Sequence, residues 1–294
     1  MAEVRPSGAS PPTISLSAVL RDLPLWVGMA LLTAPTLSSL GAQVWTKESG
    51  AHGPIVLAVG IWLLVRGIGE AKPLAKPGSL PLTFLGLLVS LALYVFGRAF
   101  DFISLEVAGL YATGVSILYS RLGLRALAHM WFPIAYLAFL IPPPGWFIDE
   151  LTGPLKQFVS WAAMNVLSVF GVPVGREGVT IYVGSYRLLV EDACSGMNSI
   201  VGLVAVSVLY IYLLRGSHLR YAALLTAATL PIAIVGNIIR IMTLILLTYF
   251  GGDELGQGFL HETAGLFLFA IDLVLVFALD SVLWRVTPNS WRTK

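Results

Sequence analysis

The chain has little charge, one cysteine and four histidines, and each shortage excludes a class of protein or site. Asp, Glu, Lys and Arg make up only 12% of its 294 residues, about half the share in a typical soluble domain. The single cysteine, Cys194, excludes an internal disulfide and any site built from several thiolates. The histidines, at positions 52, 129, 218 and 261, have no metal-site spacing, and no phosphate-binding glycine loop occurs. We therefore expect no metal, no cofactor and no nucleic-acid partner.

Apolar residues take the place of the missing charge, since they make up 57% of the chain and give a mean hydropathy of +0.84. A membrane-spanning helix needs about 20 consecutive, mainly apolar residues. The sequence therefore predicts an all-α membrane protein with about eight transmembrane helices. The predicted spans are residues 23–42, 54–69, 79–97, 102–120, 124–141, 197–214, 219–248 and 259–284.

The distribution of positive charge predicts the orientation, because Lys and Arg favour cytoplasmic segments. If both termini are cytoplasmic, twelve of these residues fall inside, five fall outside and Arg240 falls within a span. We expect a flexible, Ser/Pro-rich cytoplasmic tail over residues 1–22, one multi-span domain over residues 23–286 and a cytoplasmic tail over residues 287–294. The polar stretch before the first span is long for a signal peptide, so we interpret that span as an anchor.

The longest predicted extracytoplasmic loop covers residues 142–196, and loops of this length are usually functional. Its first residues, Pro-Pro-Pro-Gly, cannot continue a helix. Apolar residues then recur at helical spacing over residues 147–162, a pattern typical of an amphipathic helix on the bilayer surface. Alternating residues and glycine turns at 175–178 and 184–185 predict a small β-meander before the sixth span.

Cys194 lies in a short polar interruption between the last predicted strand and the sixth span. Its neighbours Asp192, Ser195, Gly196 and Asn198 are a poor setting for mere packing, although a small apolar filler is the usual role of a lone membrane cysteine. The residue falls where a helix begins, and helix N-terminal amides favour a thiolate and can stabilise an oxyanion. The residues alone leave both interpretations open.

Arg240 stands inside an apolar span, where inserting an arginine costs about 2.5–3.5 kcal/mol. Snorkelling towards the interface could relieve part of that cost. Asn237 precedes it by three residues on the same helical face, so the two point one way and we expect them to face protein. A buried cation there could stabilise both a thiolate and a developing oxyanion.

His261 and His52 are the two histidines on the predicted outer side, and so the two candidates for a general base. A histidine at a membrane interface is often only interfacial, which is the alternative for His261. Asp272 lies on the face of His261 three turns away, and could neutralise a neighbouring helix or be protonated and structural. Asp280 is expected to reach the interface. Cysteine, arginine and histidine thus share one outer layer, an acyl-transfer arrangement in which the arginine takes the oxyanion role.

Three motifs, in this order within a multi-span chain, resemble the exosortase/archaeosortase family. The first is Ala-Cys-Ser-Gly at 193–196, the second is Asn-Ile-Ile-Arg-Ile at 237–241, and the third is His261 at the start of the last span. Ala-His-Gly at 51–53 also resembles the N-terminal region of that family. The similarity covers roughly residues 24–284, which is most of the chain.

The resemblance implies a membrane transpeptidase that recognises membrane-anchored proteins by a C-terminal sorting signal. That signal is a Pro-Glu-Pro-like motif followed by a transmembrane helix and a basic tail (PEP-CTERM). The enzyme is expected to cleave the signal through a thioester and to pass the new carboxyl end to an acceptor. In family terms Cys194 is the nucleophile, Arg240 the transition-state stabiliser and His261 the general acid/base. The supporting residues are Asn237, Ser195, Gly196 and Asp192.

The expected setting is the cytoplasmic (inner) membrane, with the site on the extracytoplasmic side. One alternative is a cysteine protease that uses the same residues and hydrolyses its acyl-enzyme. Another is a multi-span transporter or a structural component of polysaccharide export, with Arg240, Asp272 and His261 as its polar pathway. No repeat is visible and the polar groups crowd the outer side, which disfavours a transporter.

Overall fold

A computed structural model describes residues 16–47, 50–177, 180–189, 199–215, 219–252 and 259–286, and these residues are mostly helical. Their α-helices are α1 (Leu16–Gln43), α2 (Gly53–Ala71), α3 (Leu80–Ala99), α4 (Ile103–His129), α5 (Trp131–Leu137), α6 (Gly145–Val169), α7 (Ser199–Arg215), α8 (Leu219–Gly251) and α9 (Phe259–Val286). Three short strands, β1 (Val174–Glu177), β2 (Thr180–Val183) and β3 (Tyr186–Leu189), lie between α6 and α7.

These helices are those of a multi-pass membrane protein, in agreement with the predicted all-α class. Within the described residues, α1 to α4 and α8 are long and apolar enough to cross a bilayer, which makes five spans. A sixth counts if α5 and α6 form one bent crossing, and α7 carries a shorter apolar stretch, Gly202–Leu213. The described residues thus support five to six spans, and the count of eight stays a prediction.

The first helix begins earlier than its predicted span. α1 starts at Leu16, so residues 16–22 are helical, and the candidate membrane span within α1 begins at Asp22. No glycine or proline lies between Leu16 and Asp22 to stop the helix. Asp22 accepts two hydrogen bonds from Arg121 of α4, at 2.9 and 3.0 Å, which fixes this end against its neighbour. The remaining parts of the two predicted tails, residues 1–15 and 287–294, lie outside the described residues.

Polar side chains join α1, α3 and α4 at the end opposite the Asp22–Arg121 pair. Glu106, in the first turn of α4, is only 4% exposed. Its Oε1 accepts hydrogen bonds from Thr36 of α1 at 2.7 Å and from Arg98 of α3 at 2.9 Å. A buried carboxylate is tolerated when it is paired and hydrogen-bonded. This cluster therefore fixes the register of three helices.

The predicted fifth span, residues 124–141, is not one straight helix. Gly123 interrupts α4 with φ 73° and ψ 175°, a conformation essentially restricted to glycine. The preceding loop approaches closely here, because the N–H of Lys76 donates to the carbonyl of Leu122 at 3.0 Å. α5 then covers only seven residues, and α6 leaves the segment Trp131–Leu140 at an angle of 89°. Glycine before the segment and the proline run after it both break helical hydrogen bonding.

α6 and the strands pack together on the C-terminal part of α8. Their shared buried core consists of Val159, Ala163 and Leu167 of α6, Ile181, Val183 and Leu188 of the strands, and Ile241, Leu244 and Ile245 of α8. The other side of α6 exposes large apolar side chains, including Trp146, Leu151 and Trp161. The helix is longer than the predicted amphipathic segment, residues 147–162.

The three strands form one antiparallel sheet in chain order, β1–β2–β3. The sequence predicts a turn at residues 175–178. This prediction is wrong for residues 175–177, which belong to β1. In the structure Gly175 pairs with Tyr182 and Arg176 with Ile181, so both belong to β1. Strand pairing gives these backbone groups hydrogen-bond partners, which outweighs the turn preference of glycine.

α7 lies between the two halves of the chain. One side of it packs on α2 and α5, where the rings of Tyr212 and Phe132 stack with centroids 3.6 Å apart. Its other side packs on α8 and α9, where Leu203 meets Ala233 and Val276. α7 is therefore held in place by helices from both halves.

Replacing Gly123 by alanine is expected to destabilise the protein by about 1–3 kcal/mol, because φ is positive there and an added Cβ would overlap the carbonyl oxygen of Lys76. Gly114→Ala in the same helix is the matched control, since nothing lies within 4 Å of its added Cβ. That change is expected to stabilise the helix by about 0.5–1 kcal/mol. Thermal unfolding of the purified variants in detergent measures both effects. Equal unfolding midpoints would contradict the role given to Gly123.

Candidate functional site

The polar residues of α8 lie where three helices, α7, α8 and α9, meet. Leu203, Ala233 and Val276 form a buried cluster there. Asp272 of α9 meets Gly236 of α8 one turn further along. Higher residue numbers on α9 thus face lower ones on α8, so the two helices are antiparallel. We call this region the three-helix junction, and it comprises Leu203, residues 233–240 and residues 272–276.

Arg240 and Asn237 are buried at the three-helix junction, with 3% and 5% of their surfaces exposed. Arg240 follows Gly236 by four residues and Ala233 by seven, so it shares their face of α8. The side-chain amide of Asn237 donates to the carbonyl of Ala233 at 2.9 Å. The pair faces protein, as its spacing predicts. α8 extends to Gly251, so Arg240 lies eleven residues, or about 16 Å along the helix axis, from its end.

Asp272 of α9 comes to the same junction. It is 8% exposed, and its carboxyl group lies directly against the backbone of Gly236, where an added Cβ would overlap both carboxyl oxygens. Arg240 lies on the next turn of α8, about 6 Å further along the helix axis. Among the described residues, Oδ1 of Asp272 has no hydrogen-bond donor. The structure therefore brings a buried acid and a buried cation to neighbouring turns of one junction.

The backbone of His261 lies in the first turn of α9, eleven residues before Asp272. Asp272 of α9 and Gly236 of α8 lie at the same height. Arg240 is four residues from Gly236 along α8, and His261 is eleven residues from Asp272 along α9, both in the same direction. The difference of seven residues corresponds to about 10 Å along the helix axes. The sequence interpretation put both residues in one layer, whereas their backbones are about two helical turns apart.

The predicted nucleophile segment falls outside the described residues. This applies to Cys194 and to the supporting residues Asp192, Ser195 and Gly196. The described chain resumes at Ser199, where α7 begins, and Leu203 of this helix packs at the three-helix junction.

His52 directly precedes α2 and packs against the first turn of α7. A Cβ added to Gly202 would lie 3.1 Å from Nδ1 and 3.2 Å from Cγ of His52, so the missing side chain makes room for the ring. From this contact α2 and α7 run in the same direction, with Val56 and Ala205 in the next turn. Burial lowers the pKa of His52 below its usual value, which favours the neutral imidazole. The second candidate base therefore lies at the end of α7 that follows the Cys194 segment.

Asp280 does not reach an interface, contrary to the sequence expectation. It is fully buried, and its carboxylate accepts hydrogen bonds from Tyr221 at 2.5 Å and from Tyr210 at 2.8 Å. These hydroxyl donors take the place of the water that an interfacial carboxylate would use. Asp280 lies eight residues beyond Asp272 along α9, away from Arg240.

The described polar residues of the three-helix junction are a buried arginine, a buried asparagine and a buried aspartate on neighbouring helical turns, and a histidine lies across α7. A buried guanidinium is suited to the stabilisation of negative charge. In the part of the chain that the structure describes, no group of three His, Cys, Asp or Glu side chains could hold a metal ion. Sequence reasoning missed Gly202 and Gly236, each of which leaves space for a polar side chain from another part of the chain. Gly236 could have been found, because it lies one turn before Arg240.

The sequence matches a family model described as transmembrane exosortase over residues 44–278. The matched region begins ahead of His52 and ends within α9, so it contains every described helix of the three-helix junction except the last residues of α9. Comparison with curated proteins and with solved structures finds no match.

Acidification is expected to destabilise the wild-type protein more than His52→Gln. Burial holds the pKa of His52 below its ordinary value of 6.5, so below that pH the unfolded chain binds a proton that the folded protein resists. The stability that this histidine contributes is therefore present at neutral pH and is lost as the pH falls. Thermal unfolding midpoints between about pH 7.5 and about pH 5.5 measure the effect. His129→Gln, which removes an exposed histidine, is the control, and identical pH dependence in all three proteins would contradict the assignment.

Proposed function

The chain belongs to the transmembrane exosortase family, and from that membership we propose that it is a membrane-embedded cysteine transpeptidase. Its substrates are exported, membrane-anchored proteins that carry a C-terminal sorting signal of the PEP-CTERM type. It cleaves the signal through a thioester acyl-enzyme and transfers the new carboxyl end to an acceptor nucleophile, without a cofactor.

One observation supports this proposal above the others, and it is the burial of Arg240 inside an apolar helix. A buried arginine is costly in a membrane and marks a functional site by default. Arg240 lies on the face of α8 that meets α7, and α7 is the helix that follows Cys194. A fixed cation in a site without water is suited to the oxyanion of a tetrahedral intermediate.

In the proposed mechanism the thiolate of Cys194 attacks the carbonyl carbon of the scissile peptide bond. The carbonyl oxygen takes up the electron pair, and the guanidinium of Arg240 stabilises the resulting oxyanion. Collapse of the intermediate breaks the C–N bond, and a histidine donates the proton that the leaving amine needs. An acceptor nucleophile, losing its proton to the same histidine, then attacks the thioester and regenerates the thiolate. Asn237 supports Arg240 from the preceding turn.

Two histidines compete for the role of general acid and base. The family resemblance assigns it to His261, the first turn of α9. His52 is the second candidate, because its imidazole packs on the first turn of α7 and burial favours its neutral form. The offset of about 10 Å between the backbones of His261 and Arg240 is compatible with a substrate lying between them, since the leaving amine and the oxyanion are separate groups.

The proposed orientation follows from the positive charges of the loops. Both termini lie in the cytoplasm, the protein lies in the inner membrane, and the site opens to the extracytoplasmic side. The transmembrane helix of the substrate then docks laterally, with its scissile bond at the outer surface. α6 and the three-stranded sheet, with Trp146, Tyr182 and Tyr186, form the cover over the substrate.

Cys194→Ala and Cys194→Ser are expected to abolish processing of a tagged membrane protein with a Pro-Glu-Pro-type signal, because the thioester cannot form. The measurement is the size of the tagged protein on a blot from the native host, where the precursor accumulates only in the variants. Arg240→Gln is expected to slow processing by about 10²–10³-fold, as the loss of an oxyanion donor does. Unchanged processing without the thiol would instead favour a transporter or a structural component of polysaccharide export. Mass analysis of the cleaved product distinguishes transfer, which adds an acceptor, from hydrolysis, which leaves a free carboxyl end.

Separate replacement of the two histidines identifies the base. His261→Gln is expected to reduce processing by about 10²–10⁴-fold, the usual contribution of a general acid or base, whereas His52→Gln is expected to retain most activity. The measurement is the rate of precursor conversion after synthesis of the substrate is stopped. The reverse order of effects would assign the role to His52 and leave His261 as an interfacial residue.

A further inference from the structure

Three exposed cations, Lys72, Lys76 and Arg125, lie at one end of the N-terminal helices. The candidate membrane span of α2 ends at residue 74 and that of α3 begins at residue 80. The irregular loop between these spans lies at the surface of the bilayer, because such a backbone cannot face lipid. The proposed mechanism uses none of the three side chains, which we call the basic patch.

The packing of α2 on α4 brings Lys72 and Arg125 close together. Ala71 and Ala126 share one buried cluster with Met130. Lys72 follows the first alanine and Arg125 precedes the second, so both cations stand next to a single helix contact. Lysine and arginine have long side chains, and these can bring two such charges to a common ligand.

Lys76 is held beside this contact by its backbone. Its N–H donates to the carbonyl of Leu122 at 3.0 Å. Its own carbonyl oxygen occupies the space that a side chain on Gly123 would need. Arg125 is only two residues beyond Gly123, a distance of at most about 7 Å along the chain. The basic patch is therefore gathered by fixed backbone contacts between the loop and α4.

The acids at this end of the helices are engaged with other cations. Asp22 accepts two hydrogen bonds from Arg121, at 2.9 and 3.0 Å. Glu70 pairs with Arg66 at 3.0 Å. Among the described residues, no carboxylate lies within ion-pair distance of the basic patch. This end of the protein therefore presents an excess of positive charge.

Exposed apolar side chains adjoin the basic patch. Leu74 is 43% exposed and lies two residues from both Lys72 and Lys76, and Leu124 is 71% exposed and directly precedes Arg125. A phospholipid combines the complementary features, since its phosphate is negative and its acyl chains are apolar. A free anion would use the charges and leave the leucines without a partner.

We propose that the basic patch binds the phosphate headgroup of an anionic phospholipid, whose acyl chains lie against Leu74 and Leu124. Anionic headgroups are found at the surface where the spans end, so both the charge and the depth of the patch are complementary to them. A lipid bound there links α2, the loop after it and α4. The proposal does not depend on the proposed function, because it concerns the other residues of the bundle.

Lipid titration of the purified protein in detergent tests the proposal. Unfolding midpoints and native mass spectra are recorded with phosphatidylglycerol, with phosphatidylcholine and with inorganic phosphate. Phosphatidylglycerol is expected to raise the midpoint and to stay bound, whereas phosphatidylcholine, which has no net charge, is not. Raising the salt to about 0.5 M is expected to weaken the effect, because salt screens exposed charges. An equal response to the two lipids would overturn the proposal, and so would an equal response to inorganic phosphate, which would assign the patch to a free anion.

Lys72→Gln combined with Arg125→Gln locates the binding site. Each cation near an anionic lipid raises the affinity about fivefold, so this double variant is expected to bind phosphatidylglycerol about 25-fold more weakly. The measurement is the lipid concentration at which half of the protein carries the adduct. The matched control is Lys47→Gln combined with Arg187→Gln, which removes two exposed cations elsewhere and is expected to bind as wild type does.

Equal affinity of the two double variants would contradict the assignment of the site. Unfolding without lipid checks that each variant is folded. If the Lys72/Arg125 variant does not fold, Lys76→Gln alone replaces it, with an expected loss of about fivefold. Wild-type affinity in Lys76→Gln would then count against the proposal.

Discussion

A charge buried among apolar helices has to find its partner inside the protein, because lipid offers neither water nor counter-ions. The described helices satisfy this requirement by placing polar groups opposite one another. Glu106 accepts hydrogen bonds from Thr36 and Arg98 where α1, α3 and α4 meet. Asp280 accepts hydrogen bonds from Tyr210 and Tyr221 where α7, α8 and α9 meet. Each cluster fixes the rotation and the register of its helices, since a shift of one residue would leave the carboxylate without donors. The apolar contacts then fill the surface that these polar groups have aligned.

Close approach of the helices is the second condition, and small residues provide it. Association between helices in a bilayer depends on packing at short range, since lipid is as apolar as the side chains. Gly97 and Gly109 let α3 and α4 touch backbone to backbone, at the positions of Glu106 and Tyr94. Gly236 and Gly202 differ from these, because each admits a polar side chain instead of a backbone. The same device therefore serves both the packing of the bundle and the geometry of the candidate site.

The sequence predicted the features that depend on local pattern, and it missed those that depend on contacts between helices. Apolar run length predicted the membrane class, and spacing predicted that Arg240 and Asn237 face protein. The predicted spans 102–120 and 124–141 leave a break around Gly123, but only the approach of Lys76 explains why a glycine is needed at that position. Asp280 was misplaced for a similar reason, since its tyrosine partners come from two other helices. The offset between Arg240 and His261 depends on the register of α8 against α9, which no single helix encodes.

The position of α7 has a consequence for how the protein could diversify. Its rotation about its own axis is fixed at two heights by the N-terminal half, through His52 against Gly202 and through the stack of Phe132 on Tyr212. It is fixed from the other side by Ala233 and Val276. In a chimaera that joins the first half of one relative to the second half of another, the two halves would require different rotations of α7, so the helix would pack poorly against one of them. The two halves are therefore expected to be inherited as one unit rather than exchanged as modules.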